Sequence, residues 1–364
     1  MMKRKVAALM MLTLTMGLFS GCAGTPVVYY TECNCTDETH THAGTTDQAT
    51  LDQATTQEGV LTEGALKTGL AIVTSVAKSE NAKVADYDVT QVAVLVDDSG
   101  VIQDCIIDGM ATKINFDENG VITDDLNTEI LTKNELGSDY GMVAYGGAIA
   151  EWDEQADALA QYAVGKTVEE LKSGAVDETG KAPEGSDLAT SATIYLGGYV
   201  AAIEEAAANA KHLGAQAGDE LRLTSINSIE SSVNASSEAE GTAQLDSNVT
   251  AITVKEGIVT SCYIDSLQAK VSFDQKGVIS TNLEEPVKTK NKLGADYGMV
   301  AWGGAIAEWD EQAAAFAAYV TGKNAEEIAG ISVNEKTAPA EADLSTSVTI
   351  SIGGFQELLH KALQ

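Results

Sequence analysis

The chain is 364 residues long, with 54 acidic side chains against 22 basic ones and a formal net charge of −32. That length accommodates two domains of ordinary size. The acidic balance argues against a nucleic-acid surface and against attraction to an anionic lipid face, since both need basic patches.

The first segment is a leader. Lys3, Arg4 and Lys5 precede an apolar run from Val6 to Phe19, followed by Ser20-Gly21-Cys22. A basic start, an apolar stretch too short for an ordinary span and small residues ahead of a cysteine read as a secretory signal over residues 1–21. The close of this segment resembles the bacterial lipobox. It implies cleavage before Cys22, a diacylglycerol on its sulfur, and a chain held on the extracytoplasmic face of the cell membrane. An uncleaved anchor helix is the alternative.

Residues 22–64 are rich in Thr, Gln, Asp, Glu and Ala, and they carry almost no aliphatic periodicity. This composition predicts a disordered tether. Within it, Cys33, Cys35, His40 and His42 fall inside ten residues, a set of soft ligands for a zinc or copper ion. A polar tether that happens to contain them is the other reading. A Cys33–Cys35 bridge would be strained, because adjacent-but-one Cα atoms are poorly placed for one.

Beyond the tether the chain repeats itself. Leu136–Ala156 reads LGSDYGMVAYGGAIAEWDEQA and Leu293–Ala313 reads LGADYGMVAWGGAIAEWDEQA, identical at nineteen of twenty-one positions. The same spacing of 157 pairs Cys105 with Cys262 and Phe116 with Phe273, so a whole domain is duplicated. The copies are residues 65–208 and 219–364. Residues 209–218, with two glycines and several alanines, read as a short linker between independent domains.

Each copy opens with a β signature. Val92, Val94 and Val96 lead through Asp98-Ser99-Gly100 into Val101–Asp108, and a further turn follows at Asp117-Glu118-Asn119-Gly120. Val249–Val254, Lys255-Glu256-Gly257, Ile258–Asp265 and Asp274–Gly277 repeat the plan. Short β-branched runs joined by Gly-containing turns predict an antiparallel meander. Cys105 and Cys262 sit among apolar neighbours and are expected to be buried thiols.

The period then changes. Ile149, Trp152, Ala156, Leu159 and Ala163 form one apolar stripe, matched by Ile306, Trp309, Ala313 and Phe316, which predicts an amphipathic helix ending near Gly165. Glu151, Asp153 and Glu154 fall on its polar side and read as a wet face. Tyr140, its counterpart Tyr297, and the Tyr145/Trp302 pair lie beside glycines at the edge of the stripe, and are candidates for stacking on a planar ligand. A short helix at Val168–Leu171, a strand or extended piece at Ser191–Leu196 and a helix from Tyr199 to Ala208 complete the copy. The fold class is α+β: two tandem antiparallel sheets with packed helices, after a disordered tether.

Each copy closes with Asp187-Leu188-Ala189-Thr190-Ser191-Ala192-Thr193 or Asp343-Leu344-Ser345-Thr346-Ser347-Val348-Thr349. These segments resemble the Asp-x-x-Ser-Gly-Ala-Thr motif of extracytoplasmic FMN-binding domains, which occur in membrane-anchored electron-transfer proteins and bacterial lipoproteins. The resemblance implies FMN joined through a phosphoester to Thr193 and Thr349 by a flavin transferase, with Asp187 and Asp343 as the motif acids and a membrane redox partner. Ser191 and Ser347 stand where the motif has glycine, and Val348 where it has alanine. Two functions follow as expectations: a flavin-carrying electron-transfer lipoprotein, or a non-redox surface module that binds a ligand or acts as a spacer and has kept the fold without the flavin.

Overall fold

The computed structural model describes residues 64–364. Cys22, the tether and the Cys33, Cys35, His40 and His42 cluster lie outside them. Each repeat contributes a three-stranded antiparallel sheet in simple meander order: β1 (Lys67–Ser75), β2 (Val84–Val96) and β3 (Ile102–Asn115), then β4 (Glu220–Ser228), β5 (Gly241–Lys255) and β6 (Ile258–Phe273). The expected α+β class is what the chain adopts.

The helices follow their sheets in the same order in both copies. In the first they are α1 (Lys133–Leu136), α2 (Met142–Gly146), α3 (Trp152–Ala163), α4 (Val168–Ala175), α5 (Asp187–Ser191) and α6 (Gly197–Ala208). In the second they are α7 (Lys290–Leu293), α8 (Met299–Gly303), α9 (Trp309–Val320), α10 (Ala325–Ala329), α11 (Ala342–Ser345) and α12 (Gly353–Ala362). No helix among the described residues is long and apolar enough to cross a membrane.

Local chemistry sets the turns. Asp97 Oδ1 accepts the backbone N–H groups of Ser99 and Val101 between β2 and β3, and Asp117 Oδ1 does the same for Asn119 and Val121 after β3. These are side-chain mimics of a backbone turn. A register shift falls at Leu95/Val96 and again at the corresponding Thr253/Val254, so the bulge was duplicated with the domain.

The repeats are not independent. One hydrophobic cluster draws Leu70, Tyr87 and Met110 from the first sheet and Leu245, Leu267 and Val271 from the second. The sheets therefore pack face to face. At the centre Phe116 and Phe273 stack with centroids 4.0 Å apart and planes within 2°. The outer faces are covered by helices, α3 and α6 on the first sheet and α9 and α12 on the second. Both faces of each sheet are thus buried, which is why Val92–Val96 is an unbroken buried run rather than an alternating one.

The contacts between repeats are reciprocal. Ala82 N donates to Gly277 O and Ile279 N to Asn81 Oδ1, while Ala235 N donates to Gly120 O and Ile122 N to Asn234 Oδ1. Gly120 and Gly277 have φ of +65° and +67°, and a Cβ on either would come within 2.7 Å of the other repeat. Only glycine allows that approach. The geometry is that of an isologous dimer built within one chain.

Residues 209–218 serve this junction rather than spacing it. Leu66 N donates to Ala215 O, and Thr68 and Lys211 exchange backbone hydrogen bonds. Two ion pairs also cross it: Lys292 to Glu205 at 2.7 Å, and Lys361 to Glu135.

Two local expectations are corrected. The helix of the repeated segment starts at Trp152 and Trp309, so Ile149 and Ile306 sit ahead of it and are exposed. Residues 187–191 form the helical turn α5, and 192–196 form no strand.

Candidate functional site

The repeated segment is a self-tied loop set on one helix. It begins where α1 is anchored to the sheet: Asp108 Oδ1 accepts the N–H of Asn134, whose side-chain amide donates to Ile107 O. In the second copy Asp265 and Asn291 make the same contacts, with Asn291 Nδ2 2.9 Å from Ile264 O. The chain then passes through a 3-10 turn to Gly141 or Gly298, both left-handed, and into α2 or α8.

Glu151 holds that loop down. Its two carboxylate oxygens accept the N–H groups of Met142 and Val143 at 2.8 and 3.1 Å, and Glu308 does the same for Met299 and Val300. Glu154 reaches back to Glu151 N, and Glu311 to Glu308 N, completing a capping box on α3 and α9. These acids were expected to be a wet face. Glu151 and Glu308 instead bind the loop to the helix, and Asp153 and Asp310 each keep one buried carboxylate oxygen with no partner.

The aromatic residues divide into two kinds. Tyr140 is half-buried and has Lys133 over its ring at 5.6 Å, with the same lysine over Trp152 at 4.8 Å. Tyr297 and Trp309 bracket Lys290 in the same way. Those ring faces are occupied by a cation. Tyr145 and Trp302, by contrast, are 92 % and 83 % exposed. Each lies against the glycine four residues before it; a Cβ on Gly141 would stand 2.5 Å from the Tyr145 ring, and one on Gly298 would stand 2.4 Å from Trp302. One side of each ring is thereby seated on bare backbone while the rest is open to solvent.

The first turn of the same helix also positions the motif threonine. Gln155, fully buried, uses Oε1 to accept from Thr193 N, Thr193 Oγ1 and Ile194 N at 2.8, 3.2 and 3.2 Å, and its amide donates to Ala150 O. Gln312 binds Thr349 and Ile350 identically. A buried acceptor serving two backbone donors is costly to lose, at about 1–3 kcal/mol per stranded group. The sequence did carry a signal for these glutamines: each is a polar residue set between apolar positions of the stripe.

Thr193 and Thr349 are exposed, as are Asp187, Asp343, Ser191 and Ser347 around them. Neither Ser191 nor Ser347 has positive φ, so no backbone strain follows from their replacing glycine. Val348 is fully buried and points into the second repeat's core, as Ala192 does in the first. Its bulk is therefore not beside the Thr349 hydroxyl.

Cys105 and Cys262 are buried free thiols, and burial raises both, Cys262 to about 12. Such thiols are not reactive nucleophiles. Among the described residues no cluster of metal-ligating side chains occurs.

Burial also pushes the Asp265 carboxyl up, to about 6, against the opposing pull of its Thr289, Asn291 and Ser266 hydrogen bonds. A carboxyl whose folded pKa exceeds its unfolded value binds more protons when folded, so this group costs stability as pH rises from about 4 to about 6. We expect Asp265→Asn to flatten that part of the pH–stability curve, by at most about 3 kcal/mol at pH 7. Urea melts of both proteins between pH 4 and 7 measure it, and parallel curves would be the contrary result.

No family model, no curated protein and no solved structure matches this chain.

Proposed function

We propose that the chain is a lipid-anchored extracytoplasmic flavin carrier, attached through Cys22, with FMN esterified to Thr193 and Thr349. The supporting observation is that each motif threonine is exposed while its backbone is fixed by a buried glutamine from α3 or α9. A transferase needs a hydroxyl it can reach on a backbone that does not move. The Thr193 N and Ile194 N bonds to Gln155 do not use the hydroxyl, so they survive its conversion to a phosphoester.

The same helix turn carries the loop with Tyr145 or Trp302, whose free ring surface suits a planar isoalloxazine. Bound flavin supplies the electron transfer itself. The chain's part is to hold the phosphate end, offer an aromatic face, and present both on a tether to a membrane redox partner. The alternative is a non-redox surface module that binds a ligand or acts as a spacer; a cavity of about 760 Å³ that neither motif threonine lines favours ligand binding.

The mature protein, made in its own host or beside its flavin transferase, is expected to carry two flavins. Thr193→Ala and Thr349→Ala should each leave one, and the double variant none, read by flavin absorbance per chain. A colourless wild-type protein from that host would overturn the proposal in favour of the non-redox module.

A further inference from the structure

Among the described residues three aromatic side chains are exposed: Tyr145, Trp302 and Tyr195, the last of them 61 % exposed. Each is seated against a glycine of left-handed φ, respectively Gly141, Gly298 and Gly180 at +79°, +81° and +77°. The first two pairs are copies of one another. The third lies on other segments of the first repeat and uses the same device.

The glycine at 180 is there for the ring, not for the turn. Its counterpart in the second repeat is Thr337, which holds the same turn at φ +56°. Asp177 Oδ1 accepts from Thr179 N and Asn334 Oδ1 from Lys336 N, while the carbonyls of Gly180 and Thr337 accept from Leu196 N and Ile352 N. The turn therefore tolerates a side chain. A Cβ on Gly180, however, would stand 2.3 Å from the Tyr195 ring. Where the second repeat has Thr337 it has Ser351 in place of Tyr195, and the two hydroxyls bond each other. Glycine and tyrosine are present together or absent together.

Tyr145 and Tyr195 are both carried by the start of α3. Glu151 ties down Met142 and Val143 before the one ring, and Gln155 ties down Thr193 and Ile194 before the other. Rings fixed in this way lose little freedom when something lies on them. Exposed Ser191 and Thr193 stand beside Tyr195 in the chain. No charged residue falls between Asp139 and Glu151, or between Asp187 and Glu204.

A fixed, uncharged ring with hydroxyls nearby suits a sugar, whose polarised C–H groups meet the negative face of the ring. A bilayer would want aliphatic neighbours at Tyr195, and the chain supplies hydroxyls. The net charge of −32 disfavours nucleic acids and acidic polysaccharides. One open ring holds a single sugar weakly, so a useful ligand must engage both rings at once. Equatorial β-linkages keep the C–H faces of a sugar chain flat along its length.

We propose that the first repeat binds a neutral β-linked glycan chain, stacking its sugar rings on Tyr195 and Tyr145. The second repeat has Trp302 but no counterpart of Tyr195, so one site per chain follows. The proposal does not rest on the flavin reading. FMN on Thr193 would compete for Tyr145, so flavin-free protein is the sample that tests it.

Isothermal titration of the full mature protein, made without a flavin transferase, uses cellohexaose and chitohexaose, with glucose and N-acetylglucosamine as single-sugar controls. Saturable binding of at least one hexasaccharide at one per chain is expected, far tighter than either single sugar. Tyr195→Ser and Tyr145→Ala should each weaken it about fivefold or more, and Trp302→Ala should leave it unchanged. Gly180→Thr keeps the turn, as Thr337 does, but unseats the ring, and is expected to match Tyr195→Ser. Failure of both hexasaccharides to bind, equal binding of the single sugars, or wild-type affinity in Tyr195→Ser or Gly180→Thr would each overturn the proposal. Binding to phosphatidylcholine vesicles in place of the saccharides would overturn it in favour of a lipid surface.

Discussion

Replacing Phe116 and Phe273 together by alanine is expected to unfold most of the protein at room temperature. Both rings are buried, and they stack on each other where the two sheets meet. A buried Phe→Ala change costs about 3–5 kcal/mol. Because the rings are partners the two losses will not simply add, and the double variant should lose less than the sum of the single ones. Even so, the loss is comparable with the whole ~5–15 kcal/mol stability of an ordinary domain. Urea unfolding followed by the fluorescence of Trp152 and Trp309 measures it. Those tryptophans lie on the outer helices, one per repeat, far in the chain from either phenylalanine. With a shared core, Phe116→Ala alone should lower the midpoint reported by the Trp309 repeat as much as that reported by the Trp152 repeat. Two separate transitions, with only the first displaced, would show that the repeats fold apart.

The sequence made some of this readable and concealed the rest for physical reasons. The hairpins declared themselves through β-branched runs and Asp/Gly turns, and β2, β3, β5 and β6 are where those runs lie. The buried side of α3 was legible from Trp152, Ala156 and Leu159, because a helix facing one core has a period. Strand β1 gave no period: Leu70, Ala71 and Ile72 are all buried, since one face meets helices and the other meets the second repeat. The same cause hid the junction. A strand apolar on both faces says that two partners cover it, but not that one of them lies some 150 residues away in the chain.

The candidate site was half legible. The motif spacing located Thr193 and Thr349, yet nothing local announced that Gln155 and Gln312 hold them, because that contact joins elements nearly forty residues apart. The near-identity of the two long segments now has a mechanical explanation. Glu151 must reach two N–H groups, Gln155 three donors, and Gly141 must lack a side chain for Tyr145 to lie down. Few substitutions satisfy all of these together. Tyr145 and Trp302 differ at the one place where the ring is open to solvent.

The strongest consequence of the duplication concerns which half pairs with which. Glu135 of the first repeat occupies the position of Lys292 in the second, and Glu205 occupies that of Lys361. The two ion pairs across the junction are therefore related by symmetry with their charges exchanged: Glu135 with Lys361, and Glu205 with Lys292. Each lysine also donates to an equivalent backbone carbonyl, Lys292 to Ile72 and Lys361 to Ser225. Two copies of the first repeat would place glutamate against glutamate at both positions, and two copies of the second would place lysine against lysine. A half-exposed ion pair is worth about 0.2–1 kcal/mol, and a like-charge contact costs a similar amount. Mixed pairing then gains two attractions and avoids two repulsions, about 1–4 kcal/mol, or roughly fivefold or more in preference. Residues 64–217 and 218–364, produced separately and mixed, are expected to form the mixed dimer well beyond the statistical half, as counted by native mass spectrometry. Glu205→Lys in the first piece should give that piece favourable contacts with a second copy of itself and let it self-pair. A statistical mixture from the wild-type pieces, or no gain in self-pairing from Glu205→Lys, would mean that packing alone joins the repeats and that the exchanged charges are incidental.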